Sequence, residues 1–243
     1  MADTTGSPQP TPAQRVCGEF IGTFALVLAA VGSAVSCGPP VSSGLGILGS
    51  ALANGLVLAV VVAAFGPISG SHFNPAVSVA LWAVGRLSVR MLLAYVATQV
   101  AAATLAALLV QAIYPPEAIE ATRLALCGPA PWLAAPVAIV IIVESVLTFL
   151  LMMGIYGTVI DRRGRRFAIG GGFGVGTIVA ANILAAGAVT GAAMNPARAF
   201  GPAAVSVNYA YHWCYWLGPL IGAMLGAVVY EKLLLAGVQS RKV

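Results

Sequence analysis

The polar groups that stand out in this apolar chain are two asparagines, Asn74 and Asn195, each opening the tripeptide Asn-Pro-Ala: Asn74-Pro75-Ala76 and Asn195-Pro196-Ala197. Asn suits a helix N-cap and Pro the first helical position, where a missing N–H costs nothing. Each tripeptide therefore begins a helix whose own N–H groups bond the asparagine oxygen, which leaves the carboxamide NH2 free to donate into a pore between the two. The apolar run that follows each tripeptide is only about ten residues long, against the roughly 20 needed to cross a bilayer. The expected elements are two half-helices that start inside the membrane. Both would point their partially positive N-terminal ends at its centre. A neutral molecule able to accept and donate hydrogen bonds is satisfied between them. A cation is not, since no carboxylate offsets the two dipole ends.

Other polar groups cluster around the same two places. The segments Gly70-Ser71-His72 and Gly191-Ala192-Ala193 lead into the half-helices. They are expected to be extended and to expose a ladder of carbonyls, because irregular backbone at membrane depth survives only in buried protein or along a wet cavity. His72 is expected to be a packed, hydrogen-bonded loop residue rather than a proton carrier. Arg198 directly follows the second tripeptide, too deep to snorkel, and reads as a wall donor near the outer mouth that repels cations. Glu19 and Glu144 are intramembrane carboxylates. They read either as a proton-coupling site or as buried acceptors for the N–H groups of the re-entrant loops. Their symmetric placement favours the acceptor role.

The elements that must position these groups follow from the composition. The chain of 243 residues is 60% hydrophobic and 8% charged, with a mean hydropathy of +0.95, which points to one polytopic membrane domain. Apolar stretches cover about 16–35, 46–65, 91–113, 136–156, 167–188 and 213–235. These six spans, with a half-helix between spans two and three and another between five and six, define an all-α membrane fold. An even number of spans puts both termini on one side. Arg15, Arg86, Arg90, Arg162, Arg163, Arg165, Arg166, Lys232, Arg241 and Lys242 fall on that side, and only Arg123 sits in a loop on the other. The positive-inside rule makes the shared side cytoplasmic. The cluster from Asp161 to Arg166 reads as a topology-setting loop.

The two halves repeat. Thr23-Phe24 follows Glu19 by four residues as Thr148-Phe149 follows Glu144, and the glutamates precede their tripeptides by 55 and 51 positions. Three spans and a half-helix per half invert the second half relative to the first, the arrangement that builds a midplane site from discontinuous helices. The expected division is a flexible cytoplasmic tail at 1–14, a channel domain at 15–236 with repeats at about 15–113 and 134–236, and a tail at 237–243. The opening stretch shows no signal-peptide pattern. Cys17 and Cys214 are expected to be buried in spans, while Cys37 and Cys127 map to outer loops where a disulfide is geometrically open. No metal-ligand spacing, cofactor motif, basic nucleic-acid stripe or nucleophile–base pair is present, so neither an enzyme nor a nucleic-acid binder is expected.

The segments 69–77 and 195–198, Ser-Gly-Ser-His-Phe-Asn-Pro-Ala-Val and Asn-Pro-Ala-Arg, resemble the aquaporin, or major intrinsic protein, family, and the resemblance covers about 16–235. It implies a right-handed bundle of six helices and two half-helices, a pore in each protomer, a homotetramer, and passive transport of water without a cofactor. It also implies an outer selectivity filter at Asn54, Ile183, Ala192 and Arg198. Strict water channels of the family carry an aromatic at the first of these and a histidine at the second, and this chain departs at both. Ala199 and Ala203 stand where the glycerol-conducting branch has Asp and Lys. The stretch 194–202 with His212-Trp213 and Tyr215-Trp216 is similar to the vacuolar and ammonia-permeable branch. Water with small neutral solutes such as ammonia, hydrogen peroxide or urea is the cargo this implies. A glycerol facilitator and a proton-coupled transporter using Glu19 and Glu144 are the alternatives. The expected location is the plasma (inner) membrane.

Overall fold

The computed structural model describes residues 9–42, 44–165 and 170–235, the Arg165 side chain excepted. Residues 1–8 of the expected N-terminal tail and the whole expected C-terminal tail with its Arg241 and Lys242, together with Arg166, lie outside the described residues. Among the described residues six helices are long and apolar enough to cross a membrane. They are α1 (Pro12–Cys37), α2 (Gly46–Ser69), α4 (Val89–Ile113), α6 (Pro136–Ile155), α8 (Gly171–Thr190) and α10 (Cys214–Val229). Single π-helical turns extend α6 to Ile160 and α10 to Leu234. Two short helices, α3 (Pro75–Ala83) and α9 (Pro196–Val205), are the half-helices.

Local chemistry fixes the boundaries. Thr11 and Gln14 form a reciprocal capping box ahead of Pro12, so α1 starts three residues before the expected domain boundary. Ser88 caps α4 through the Met91 N–H. The spans that feed the half-helices stop at glycines in the left-handed region, α2 at Gly70 (φ 87°) and α8 at Gly191 (φ 86°). The long connection at 114–131 is not plain loop. It holds α5 (Pro116–Thr122), opened by a proline at its first position and an acidic Glu117 in its first turn, and a short helix α7 (Arg162–Arg165) follows the π turn of α6.

Packing is symmetric between the halves. α2 and α8 cross at the centre, where a Cβ on Gly176 would lie 2.1 Å from the Gly55 oxygen and one on Gly55 would lie 2.8 Å from the Gly176 oxygen. Only glycine permits that approach, the small-residue contact of membrane helices. Each half-helix packs against the last span of the other half, α3 on α10 and α9 on α4. Gly201 of α9 sits so close to α4 that a Cβ would meet the Ala103 oxygen at 2.4 Å. Cys214 is buried, but Cys17 is exposed on the outward face of α1, contrary to the expectation from sequence. An apolar run does not reveal which of its faces turns inward when every face is apolar.

At the end of the bundle carrying Arg86 and Asp161, the Arg86 guanidinium pairs with Glu231 and lies 5.8 Å from the Tyr156 ring centre. Tyr156 also donates to Glu231 at 2.9 Å. Arg163 pairs with Asp161 at 2.6 Å and donates to the Leu234 carbonyl at 2.8 Å, tying the loop to the end of the last span.

Candidate functional site

The two re-entrant loops are built by one recipe applied twice. Ser71 and Phe73 in the first loop, and Ala192 and Met194 in the second, take φ values of 53°, 50°, 42° and 52°. Non-glycine residues adopt the left-handed region only where surrounding bonds impose it. Those bonds are present. The Glu19 carboxyl accepts the N–H groups of His72 (2.9 Å) and Phe73 (2.7 Å), the Ser69 hydroxyl (2.8 Å) and the Gln99 amide (2.8 Å). Glu144 accepts the N–H groups of Ala193 (3.0 Å) and Met194 (2.7 Å) and the Thr190 hydroxyl (2.7 Å). Both glutamates are fully buried. The Ser69 and Thr190 oxygens accept from Ser71 N–H (3.0 Å) and Ala192 N–H (3.1 Å) in turn. Tyr95 and Tyr215 donate to the Ser69 and Thr190 carbonyls, both at 2.6 Å.

With every one of those N–H groups drawn into protein, the carbonyls face the other way. No described residue donates to the carbonyl of Gly70, Ser71, His72, Gly191, Ala192 or Ala193. The next carbonyl in each loop is used differently. Asn74 Nδ2 donates to Met194 O and Asn195 Nδ2 donates to Phe73 O, both at 2.8 Å. Each asparagine also caps its helix, accepting from Ala76 N–H (2.9 Å) or from Ala197 and Arg198 N–H (3.0 and 3.3 Å). One of the two N–H groups of each carboxamide therefore cross-links the halves, and one remains for the cavity. The sequence alone left both free.

Asn74, Asn195, Asn54, Ile183, Ala192 and Arg198 line a single cavity between the halves, together with Ser71, His72, Gly191 and Ala193. Apart from Ser50 its remaining wall is apolar, with Leu58, Val62, Val175 and Val179 among the contributors. Asn54 donates one N–H to the Ser50 carbonyl of its own helix at 2.8 Å. Arg198 donates to the Ala125 carbonyl at 3.0 Å and to the Cys127 sulfur. Cys127 is a free, buried thiol engaged there, so the bridge to Cys37 is not made. Burial pushes its thiol up to about 11, with the Arg198 charge pulling the other way. Among the described residues no cluster of His, Cys, Asp or Glu could hold a metal.

Several supporting residues escaped the sequence reading. Tyr95 and Tyr215 follow their tripeptide asparagines by 21 and 20 positions, a signal that aligning the halves would have exposed. Asn182 donates to the Leu147 carbonyl at 2.9 Å and contacts the Met194 sulfur, tying α8 to α6 and the second loop. Ser78 and Gln99 carry no such internal signal, since their counterparts in the second half are apolar.

Six spans with two opposed half-helices around a polar-lined cavity define a membrane channel. The major intrinsic protein family model matches residues 7–230, and the chain belongs to that family. It is 42% identical over 236 residues to aquaporin TIP4-4 of Zea mays, covering 92% of this chain and 87% of that protein. It is 38% identical over 231 residues to the probable aquaporin TIP4-1 of Oryza sativa subsp. japonica, covering 91% and 87%. The aquaglyceroporin structure from Plasmodium falciparum superposes with a TM-score of 0.82 over 92% of this chain and 97% of that one, at 23% identity. The protein is a multi-pass integral membrane channel of the aquaporin type, and not an enzyme.

Proposed function

We propose that residues 15–236 form a passive pore for water that also admits small neutral solutes, namely ammonia, hydrogen peroxide and urea, and excludes protons and ions. The observation that carries this reading is the set of six loop carbonyls with no donor among the described residues, five of whose residues line one largely apolar cavity together with the two asparagine donors and Arg198. Acceptors on one wall and donors at the centre satisfy a molecule that does both, while opposed helix N-termini and an arginine raise the energy of a cation. The carboxyls of Glu19 and Glu144 are occupied by backbone and hydroxyl donors, which favours the anchoring role over proton coupling.

The filter assignment sets the solute range. Asn54, Ile183 and Ala192 beside Arg198 make a wider and less polar constriction than an aromatic and an imidazole would. Ala199 and Ala203 are both buried, with no charged side chain there to favour a polyol. A homotetramer with one pore per protomer and cytoplasmic termini completes the proposal, resting on the family resemblance and on the ten cations of one side. The relatives' names lend no support to the plasma (inner) membrane, and the proposal extends only to an integral membrane. Stopped-flow permeabilities of proteoliposomes to water, ammonia, hydrogen peroxide, urea and glycerol test it. Flux of water with ammonia or peroxide and little glycerol is expected. A pore that passes water alone would overturn the filter argument.

A further inference from the structure

The first re-entrant loop holds a polar cluster that the second lacks. His72 Nδ1 lies 3.0 Å from Ser78 Oγ. Ser78 Oγ also lies 3.1 Å from the Asn74 carbonyl, which can only accept, and 3.1 Å from Gln99 Nε2, which can only donate. Gln99 is itself fixed, because its other N–H goes to the Glu19 carboxyl at 2.8 Å. A serine hydroxyl has one hydrogen. If it is given to the Asn74 carbonyl, all three contacts are hydrogen bonds only when His72 Nδ1 is the donor. The ring then carries its proton on Nδ1, and Nε2 is a bare acceptor. Nε2 has no partner among the described residues, and His72 lines both the central cavity and the vestibule that opens beside Arg86. The Tyr95 ring meets the imidazole edge-to-face at 5.1 Å, which holds its orientation. In the second half the matching positions are Ala193, Ala199 and Pro219, so the device is one-sided.

We infer that Ser78 and Gln99 are positioning residues that lock His72 as the Nδ1–H tautomer, so that its Nε2 presents a permanent acceptor at the inner end of the pore. This rests on the reading of the cavity as a water pore. A molecule there must donate to Nε2 while its oxygen faces the asparagine donors at the centre. The opposite tautomer would donate into the pore and let the molecule invert, easing proton transfer along a file of waters. The lock therefore adds to the exclusion of protons.

The test is 15N solid-state NMR of histidine-labelled protein in bilayers at mildly alkaline pH, with His212→Gln used to assign the signals. The same preparations are assayed for proton and water permeability. In the parent, His72 should show a protonated Nδ1 and an unprotonated Nε2. Ser78→Ala should lower that tautomer ratio by about fivefold, the worth of one neutral hydrogen bond, and raise the proton-to-water permeability ratio in step. Ser78→Thr should restore both. A parent His72 protonated on Nε2, or a tautomer ratio untouched by Ser78→Ala, overturns the inference even in a protein that conducts water normally. A parent without water flux would instead overturn the pore reading.

Discussion

Replacing Glu144 with Gln should destabilise the fold by about 3 kcal/mol and leave passive flux per folded molecule intact. The magnitude follows from three bonds. Glu144 Oε1 accepts from Thr190 Oγ1 and Ala193 N–H, and Oε2 accepts from Met194 N–H. A glutamine that keeps its carbonyl at the Oε1 position retains two of these without charge assistance, a loss of about 0.5–1 kcal/mol each. Its NH2 then faces the Met194 N–H, donor against donor, and a buried unsatisfied N–H costs about 1–3 kcal/mol. The opposite flip strands two donors and is worse. For a chain of this size about 3 kcal/mol corresponds to a fall in thermal midpoint of roughly 6–12 °C. The assay is thermal unfolding of purified protein followed by size exclusion, paired with osmotic shrinkage of proteoliposomes normalised to folded protein. An unchanged midpoint would refute the anchoring argument. Loss of flux together with a new or vanished pH dependence would point to proton coupling instead.

Arg198→Val should leave the fold intact and open a proton or cation leak beside normal water flux, read from a pH-sensitive dye in the same vesicles. Asn54→Phe with Ile183→His should narrow the outer filter, so that the ratio of ammonia or peroxide permeability to that of water falls well below the parent value. Gly22→Ala should destabilise by about 1–3 kcal/mol through overpacking, because the new Cβ would lie 2.0 Å from the ring of the fully buried Phe73; the thermal midpoint reads it. Asp161 is held below its usual value of 3.8, chiefly by the hydrogen-bonded Arg163. With a folded pKa below the unfolded one, its stabilisation is present above about pH 4 and lost as pH falls through the folded value. The difference in midpoint between Asp161→Asn and the parent should therefore shrink on acidification and be flat from pH 6 to 8.

The fold was legible because its signals are local and doubled. Asn-Pro-Ala twice, Glu19 and Glu144 at matched offsets, and six apolar runs are all readable without knowing what touches what. What escaped depends on contacts across the chain. The bonds from Asn74 to Met194 and from Asn195 to Phe73 join residues about 120 positions apart, and nothing in a capping preference foretells that one carboxamide hydrogen goes to the opposite loop. Ser78 and Gln99 read as one more small helix residue and one more polar residue in a span. Cys127 meets Arg198 through a loop whose residues Arg123, Leu124 and Ala125 all take positive φ without a glycine among them, a conformation no turn rule would assign. Cys17 was misplaced because an apolar helix in lipid lacks the polar stripe that marks an outward face in water.

The proposed pore passes water along a file that protons and ions do not share. Osmotic water permeability and proton flux measured together in proteoliposomes, with and without an imposed pH gradient, test it most directly. Water permeability well above that of empty vesicles, insensitive to the gradient and unaccompanied by proton movement, is the predicted result. Water flux equal to that of empty vesicles, or flux that rises and falls with the gradient, would contradict it.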